Sequence, residues 1–227
     1  MRSEIQVNII EGYQVRLKQL DDLYLKTYKS FLDIQTKNQN WLINSDKRIA
    51  IYTLYISIIF NTKTNLFLLH KFLNTEDWES IYFNEVIFLN SKDKYYAYLK
   101  DLDTDYRFLF FHQSFSQFEN YIRILHKVLN IEKVGDPLKI VELFIPSYNE
   151  FIDSIETVRN SIHNNGFYKP IKKQPKSVKI KLKSEYTINS GEQVYLDWDN
   201  AFFVFENIIN CINELNDIKE IKSIVKI

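Results

Sequence analysis

An arginine, an asparagine and a histidine fall close together in Thr157-Val158-Arg159-Asn160-Ser161-Ile162-His163. Arginine keeps its charge at any physiological pH, and histidine can take up or release a proton near neutrality. Such a pair could supply a proton acceptor or donor beside a fixed cation. Arg159 and His163 are four positions apart, so on a helix they share one face. Each follows a position of an apolar seam, Val158 and Ile162, which sets both at the edge of the buried stripe. Glu156 stands three residues before Arg159, where it could orient the guanidinium.

These residues also have a purely structural use. Cations in the last turn of a helix complement its dipole. Asn164-Asn165-Gly166 follows at once and tolerates the left-handed backbone of a helix stop. Downstream, Lys169, Lys172, Lys173, Lys176, Lys179, Lys181 and Lys183 appear with no acidic residue between Tyr168 and Ser184. Beside the Arg/His pair they suit a phosphate backbone. Where they alternate along a strand they equally suit a solvated strand face.

The elements that position this group are read from apolar spacing. Tyr148, Phe151, Ile155, Val158 and Ile162 form a helical stripe that ends just past His163. Ser147 with Glu150 fits a capping box at its start. The preceding helix, with Thr104 or Asp105 as N-cap, carries Phe108, Phe111, Phe115, Phe118, Ile122, Leu125 and Leu129 at alternating gaps of three and four. Its flank holds His112, Glu119 and His126, each one residue after a seam position. Antiparallel packing brings that flank opposite Arg159 and His163.

Earlier in the chain, Leu17, Leu20, Tyr24, Tyr28 and Phe31 predict a helix over about 11–37. Ser45-Asp46 caps a second one from Lys47 to about Phe60, resumed over 65–73 and apolar nearly all round, which places it at the bundle's centre, with a strand as the alternative that its β-branched residues leave open. Residues 76–90 are expected to be helical, and 91–100 to form a connector. After the motif, Val178, Ile180, Leu182, Tyr186 and Ile188 alternate as a strand does. Asn189-Ser190-Gly191 is the expected turn, with Val194 and Leu196 on the return. Asp197 or Asp199 caps the last helix.

Composition agrees with this architecture. The 227 residues include only 4 Gly and 4 Pro, too few turn formers for a many-stranded fold. Lys plus Arg and Asp plus Glu number 29 each, so no global field draws in nucleic acid. The single cysteine, Cys211, lies among Ile208, Ile209 and Ile212; it excludes an internal disulfide and reads as a buried thiol. No glycine-rich phosphate loop, nucleophile elbow or Cys/His metal spacing occurs, so neither metal nor cofactor is expected. The N-terminus lacks an apolar signal core, and the most apolar run, Ile49 to Phe60, falls short of the roughly 20 residues a membrane span needs. A cytoplasmic location without membrane attachment is the expectation.

The fold expected is all-α: an antiparallel helical bundle with additional N-terminal helices and a small β-hairpin before the last helix. Residues 1–95 form an N-terminal helical segment that packs on or completes the bundle, and 96–227 form the domain that holds the motif, with its hairpin at about 177–196.

An Arg-Asn step followed closely by His at the end of a bundle helix resembles the HEPN superfamily of helical domains. A long helix with a glutamate near its middle, Phe115-Ser116-Gln117-Phe118-Glu119, precedes it, and a polar hairpin with a capping helix follows. The resemblance covers roughly Asp101 to Leu215. It implies a metal-independent endoribonuclease of a prokaryotic defence or toxin–antitoxin system, acting as a homodimer in which two motifs line one cleft. Arg159 then stabilises charge on the scissile phosphate, His163 serves as general acid or base, and Asn160 matches the motif's polar residue. Glu119 and Glu156 support them, and Lys169, Lys172 and Lys173 contact RNA. The implied partners are a second copy, RNA, and a protein antitoxin or effector. Here three residues separate Arg159 from His163, where the family pattern has four to six. Some HEPN-like domains are inactive and serve as dimerisation or RNA- or protein-binding modules, which is the alternative expectation.

Overall fold

The computed structural model describes residues 4–43, 45–74, 92–131, 136–164, 166–170 and 176–224. The helix expected over 76–90 lies outside them, as do Lys172 and Lys173. The described chain is an all-α bundle with one two-stranded hairpin. Its elements are α1 (Glu4–Lys37), α2 (Lys47–Asn74), α3 (Lys92–Leu129), the short α4 (Lys139–Phe144), α5 (Asn149–His163), β1 (Ser177–Lys181), β2 (Glu185–Asn189), α6 (Trp198–Asp217) and a final turn, α7 (Lys219–Lys222).

The long helices alternate in direction along the chain. Tyr24 of α1 meets Phe60 of α2 edge-on, with ring centres 5.3 Å apart, and Lys63 pairs with Asp21, so the first two helices run antiparallel. α6 runs alongside α1 in the same sense, joined by Gln19 to Asp199 at 3.1 Å and by Lys26 to Glu206 at 2.7 Å. It also runs with α3, where Phe110 packs among Trp198, Phe202 and Phe205. α2 opposes α6, with Tyr55 against Phe205 and the Tyr52 hydroxyl donating to Asn213 at 2.6 Å.

α6, not α2, is thus the surrounded helix. It buries Phe202, Val204, Phe205, Ile208, Ile209, Cys211, Ile212 and Leu215, whereas α2 leaves Leu54, Phe60, Phe67 and Leu68 exposed. Burial pushes the Cys211 thiol well above its ordinary pKa, which keeps it protonated and inert.

Three local expectations are corrected. α3 begins at Lys92 and passes straight through Thr104 and Asp105. Thr104 bonds back to the Lys100 carbonyl at 3.0 Å, as a helix-interior threonine does, and Asp103 is taken up by Arg16, Arg107 and the Trp198 indole. The stretch before residue 100 is therefore helical, and the expected division at 95/96 falls within α3. Ser147 lies in a 3-10 turn, Pro146–Tyr148, and makes no capping bond to α5. In the hairpin, Lys181 pairs with Glu185, so the reversal falls at 182–184. Asn189-Ser190-Gly191 turns the chain after β2, with Gly191 at φ +88°. Residue Gln193 then bridges to Phe167 rather than to the hairpin.

Other caps are as read. Asp46 accepts the Arg48 backbone N–H at 2.9 Å, and Asp197 accepts that of Asn200 at 2.7 Å. Among the described residues no helix is long and apolar enough to cross a membrane.

Candidate functional site

The flank of α5 that carries the motif faces the flank of α3. α5 presents Ile155 and Val158 to the core, both fully buried, which fixes the rotation of the helix. Arg159 and His163, one position further round, come to the rim. α3 is oriented in the same way by Phe111, Phe115 and Phe118, which brings His112 and Glu119 to its rim. Because the two helices run antiparallel, Arg159 meets Glu119 and His163 meets the earlier His112.

Arg159 Nη2 lies 3.5 Å from Glu119 Oε2, its Nη1 donates to Asn160 Oδ1 at 3.0 Å, and its guanidinium stands 6.0 Å from the Phe115 ring centre. The other oxygen of Glu119 accepts from Arg123 at 2.6 Å, so one carboxylate serves two arginines. The rings of His163 and His112 are 5.3 Å apart at 76°. His112 Nδ1 is 3.3 Å from the Ser116 hydroxyl.

Beyond His163 the helix closes by capping. The Asn164 amide donates to the Asn160 carbonyl at 2.9 Å, the Gly166 N–H donates to Ser161 at 2.9 Å, and Gly166 takes φ +83°. A side chain at Gly166 would be strained in that conformation.

Electrostatics distinguish the titratable members. His163 is exposed at the helix end. Partial desolvation, then Arg159 and His112, push its pKa below the ordinary value, while Glu119 pulls the other way. Glu156 is half-buried. Burial first, then Asp136 and Asp153, hold its carboxyl above the usual range against the pull of Arg159. A carboxyl raised in this way adds its full stability below the unfolded pKa and loses it as pH rises through the folded value. Glu156→Gln, neutral at every pH, is therefore expected to raise the melting temperature near pH 7 and leave it almost unchanged near pH 3.5. Thermal denaturation at the two pH values checks this.

The structure thus brings together Arg159, Asn160, His163 and Glu119. Glu156 acts on Arg159 through charge alone, and the orienting carboxylate is Glu119 on the neighbouring helix. Lys169 is exposed, just beyond Tyr168, whose backbone is pinned to Glu192 and Gly191 by bonds of 2.9 and 2.8 Å. The hairpin lysines are committed to carboxylates: Lys179 to Glu185, Lys181 to Glu150 at 2.7 Å, and Lys183 to Asp199 at 3.0 Å. His112 was legible as a flank residue but not as the ring partner of His163. Its place directly after the seam residue Phe111 was the available signal.

No family model, characterised protein or solved structure matches this chain. Among the described residues no three His, Cys, Asp or Glu side chains gather so as to hold a metal ion. A cavity of about 410 Å³ lined by Arg16, Arg107, Tyr195 and Trp198 lies elsewhere. Its arginines are already engaged, Arg16 by Asp103 and Arg107 by the Leu196 carbonyl at 2.8 Å.

Proposed function

We propose that this protein is a HEPN-like, metal-independent endoribonuclease. In this reading it is cytoplasmic and works as a homodimer in a prokaryotic defence or toxin–antitoxin setting, with RNA as substrate and a protein antitoxin or effector as a further partner. The observation that carries the reading is the convergence of Arg159 and His163 on one rim of α5, with the guanidinium steadied by Glu119 and Asn160.

Each group has a step to perform. Asn160 and Glu119 hold the Arg159 fork, and its remaining N–H groups are suited to the scissile phosphate, where charge builds as the 2′-oxygen attacks. His163, its pKa lowered by its surroundings, is neutral at physiological pH and takes the 2′-hydroxyl proton. Lys169 stands exposed beyond the helix end, where a phosphate of the flanking strand would meet it. A second copy places another Arg159/His163 pair across the same cleft.

The alternative is a non-catalytic RNA- or protein-binding module, and its protein-binding form draws support from the pairing of Lys179, Lys181 and Lys183 with carboxylates. That pairing leaves the hairpin poor in free positive charge. The two readings separate in an assay of labelled mixed-sequence single-stranded RNA in EDTA. Wild type is expected to cleave it, and His163→Ala to lose roughly 10²–10⁴-fold in rate. Equal rates in the two proteins would remove His163 from the mechanism. RNA retained but uncut by wild type supports the binding module.

A further inference from the structure

We propose that His112 is the second acid–base group of this site, so that one protomer carries both imidazoles needed for RNA transphosphorylation. This rests on the endoribonuclease reading above.

The two rings come from different helices, His112 from α3 and His163 from α5, and meet at 5.3 Å between centres and a steep 76°. Both belong to the rim: His163 is exposed and His112 half-buried, so a substrate can reach either. The Ser116 hydroxyl at 3.3 Å from Nδ1 fixes the His112 ring and leaves its Nε2 for another partner. Arg159 stands one turn before His163 on the same face, so a phosphate bound to its guanidinium lies beside both imidazoles.

His112 also acts on the protonation of His163: its charge, after partial desolvation and Arg159, helps to hold the His163 pKa below the ordinary value. The acid–base step uses one ring neutral and the other charged. The charged groups facing them are Arg159, which opposes protonation of His163, and Glu119, which favours it; Arg123 and Glu156 lie one contact further out, on Glu119 and beside Arg159.

In that state the step balances without any further reactant. The neutral imidazole takes the 2′-hydroxyl proton as the 2′-oxygen–phosphorus bond forms. The bond from phosphorus to the 5′-oxygen breaks, and the imidazolium gives its proton to the departing oxygen. The products are a 2′,3′-cyclic phosphate and a 5′-hydroxyl, and the pair still holds one proton. A second copy is then not required to supply a histidine, although it can still shape the cleft.

Two measurements test this on the full chain. In a histidine NMR titration without RNA, the His163 midpoint is expected to move upward in His112→Gln. An unchanged midpoint would overturn the coupling. With a mixed-sequence single-stranded RNA oligonucleotide, wild type is expected to show a bell-shaped pH–rate profile, and H112Q to lose roughly 10²-fold in rate and one limb of the bell. Wild-type cleavage with H112Q equally fast and bell-shaped overturns this inference alone. A wild-type chain that cleaves no RNA overturns the endoribonuclease reading and this inference with it. Thermal melts establish that H112Q is folded, and His112→Asn replaces it in both measurements if it is not.

Discussion

Arg159→Ala is expected to slow RNA cleavage by about 10²–10³-fold while the fold survives. The loss follows from removing the charge that faces the phosphate, in a place where Glu119 and Asn160 already hold the guanidinium and little reorganisation is needed. The fold survives because the site can absorb the deletion. The Arg159 side chain is 34% exposed and Glu119 18%, and a pair of this kind contributes about 1 kcal/mol or less. Glu119 is not stranded either, since Arg123 still donates to it at 2.6 Å. Arg159→Lys should recover only part of the rate, because an ammonium restores the charge but not the fork that can grip Glu119, Asn160 and a phosphate together. The check is the cleavage rate of labelled single-stranded RNA beside a urea denaturation curve for each variant. An Arg159→Ala protein that melts normally and cleaves at the wild-type rate would take the arginine out of the mechanism.

That the two flanks meet, given antiparallel packing, was legible in the sequence. The seam Phe111, Phe115, Phe118, Ile122 and Leu125 is buried to within 1% of complete, and the stripe Ile155–Val158 likewise. Once two seams pack together, the residue after each seam position must come to a shared rim, and antiparallel order decides which meets which. The carboxylate that holds Arg159 was less legible. Helical spacing points to Glu156, but a pair three residues apart on one helix is worth only a few tenths of a kcal/mol. Glu119, itself held by Arg123, is a part-buried carboxylate already aimed at α5, and it takes the contact.

The centre of the bundle was misplaced for a related reason. Apolar content says that a helix can be surrounded, not that it is. α2 is rich in isoleucine and phenylalanine yet keeps one side open, whereas α6 fits polar groups into its buried face. Asn200 and Asn216 on α6 are fully buried. Asn200 exchanges hydrogen bonds with Ser184 in the hairpin's turn, and Asn216 accepts from the Tyr121 hydroxyl of α3. Such partners are distant in sequence, and no local pattern announces them.

The strongest case is Arg48, and it carries the largest stability effect expected here. Its side chain is completely buried and pairs with Asp46 along one edge of the guanidinium, Nε to Oδ1 at 2.9 Å and Nη2 to Oδ2 at 2.5 Å. The remaining nitrogen donates to the Ile221 carbonyl at 2.7 Å, 173 residues away in sequence, and the group stacks on Trp41 at 3.8 Å. One side chain therefore ties the α1–α2 connection to α7. Arg48→Ala leaves a buried carboxylate without its cation and takes one of its donors from the Ile221 carbonyl, at a cost of roughly 3–5 kcal/mol. Most of that is the penalty of the stranded charge, not the intrinsic worth of the pair. Asp46→Asn with Arg48→Met removes both charges, keeps an N-cap for α2 and refills the space with a flexible apolar chain. The double variant is therefore expected to be more stable than Arg48→Ala, by urea denaturation of all three proteins. If instead the double variant is the less stable, the ion pair contributes to the fold beyond its mutual neutralisation. The cation stacked on Trp41 is then the part that cannot be replaced.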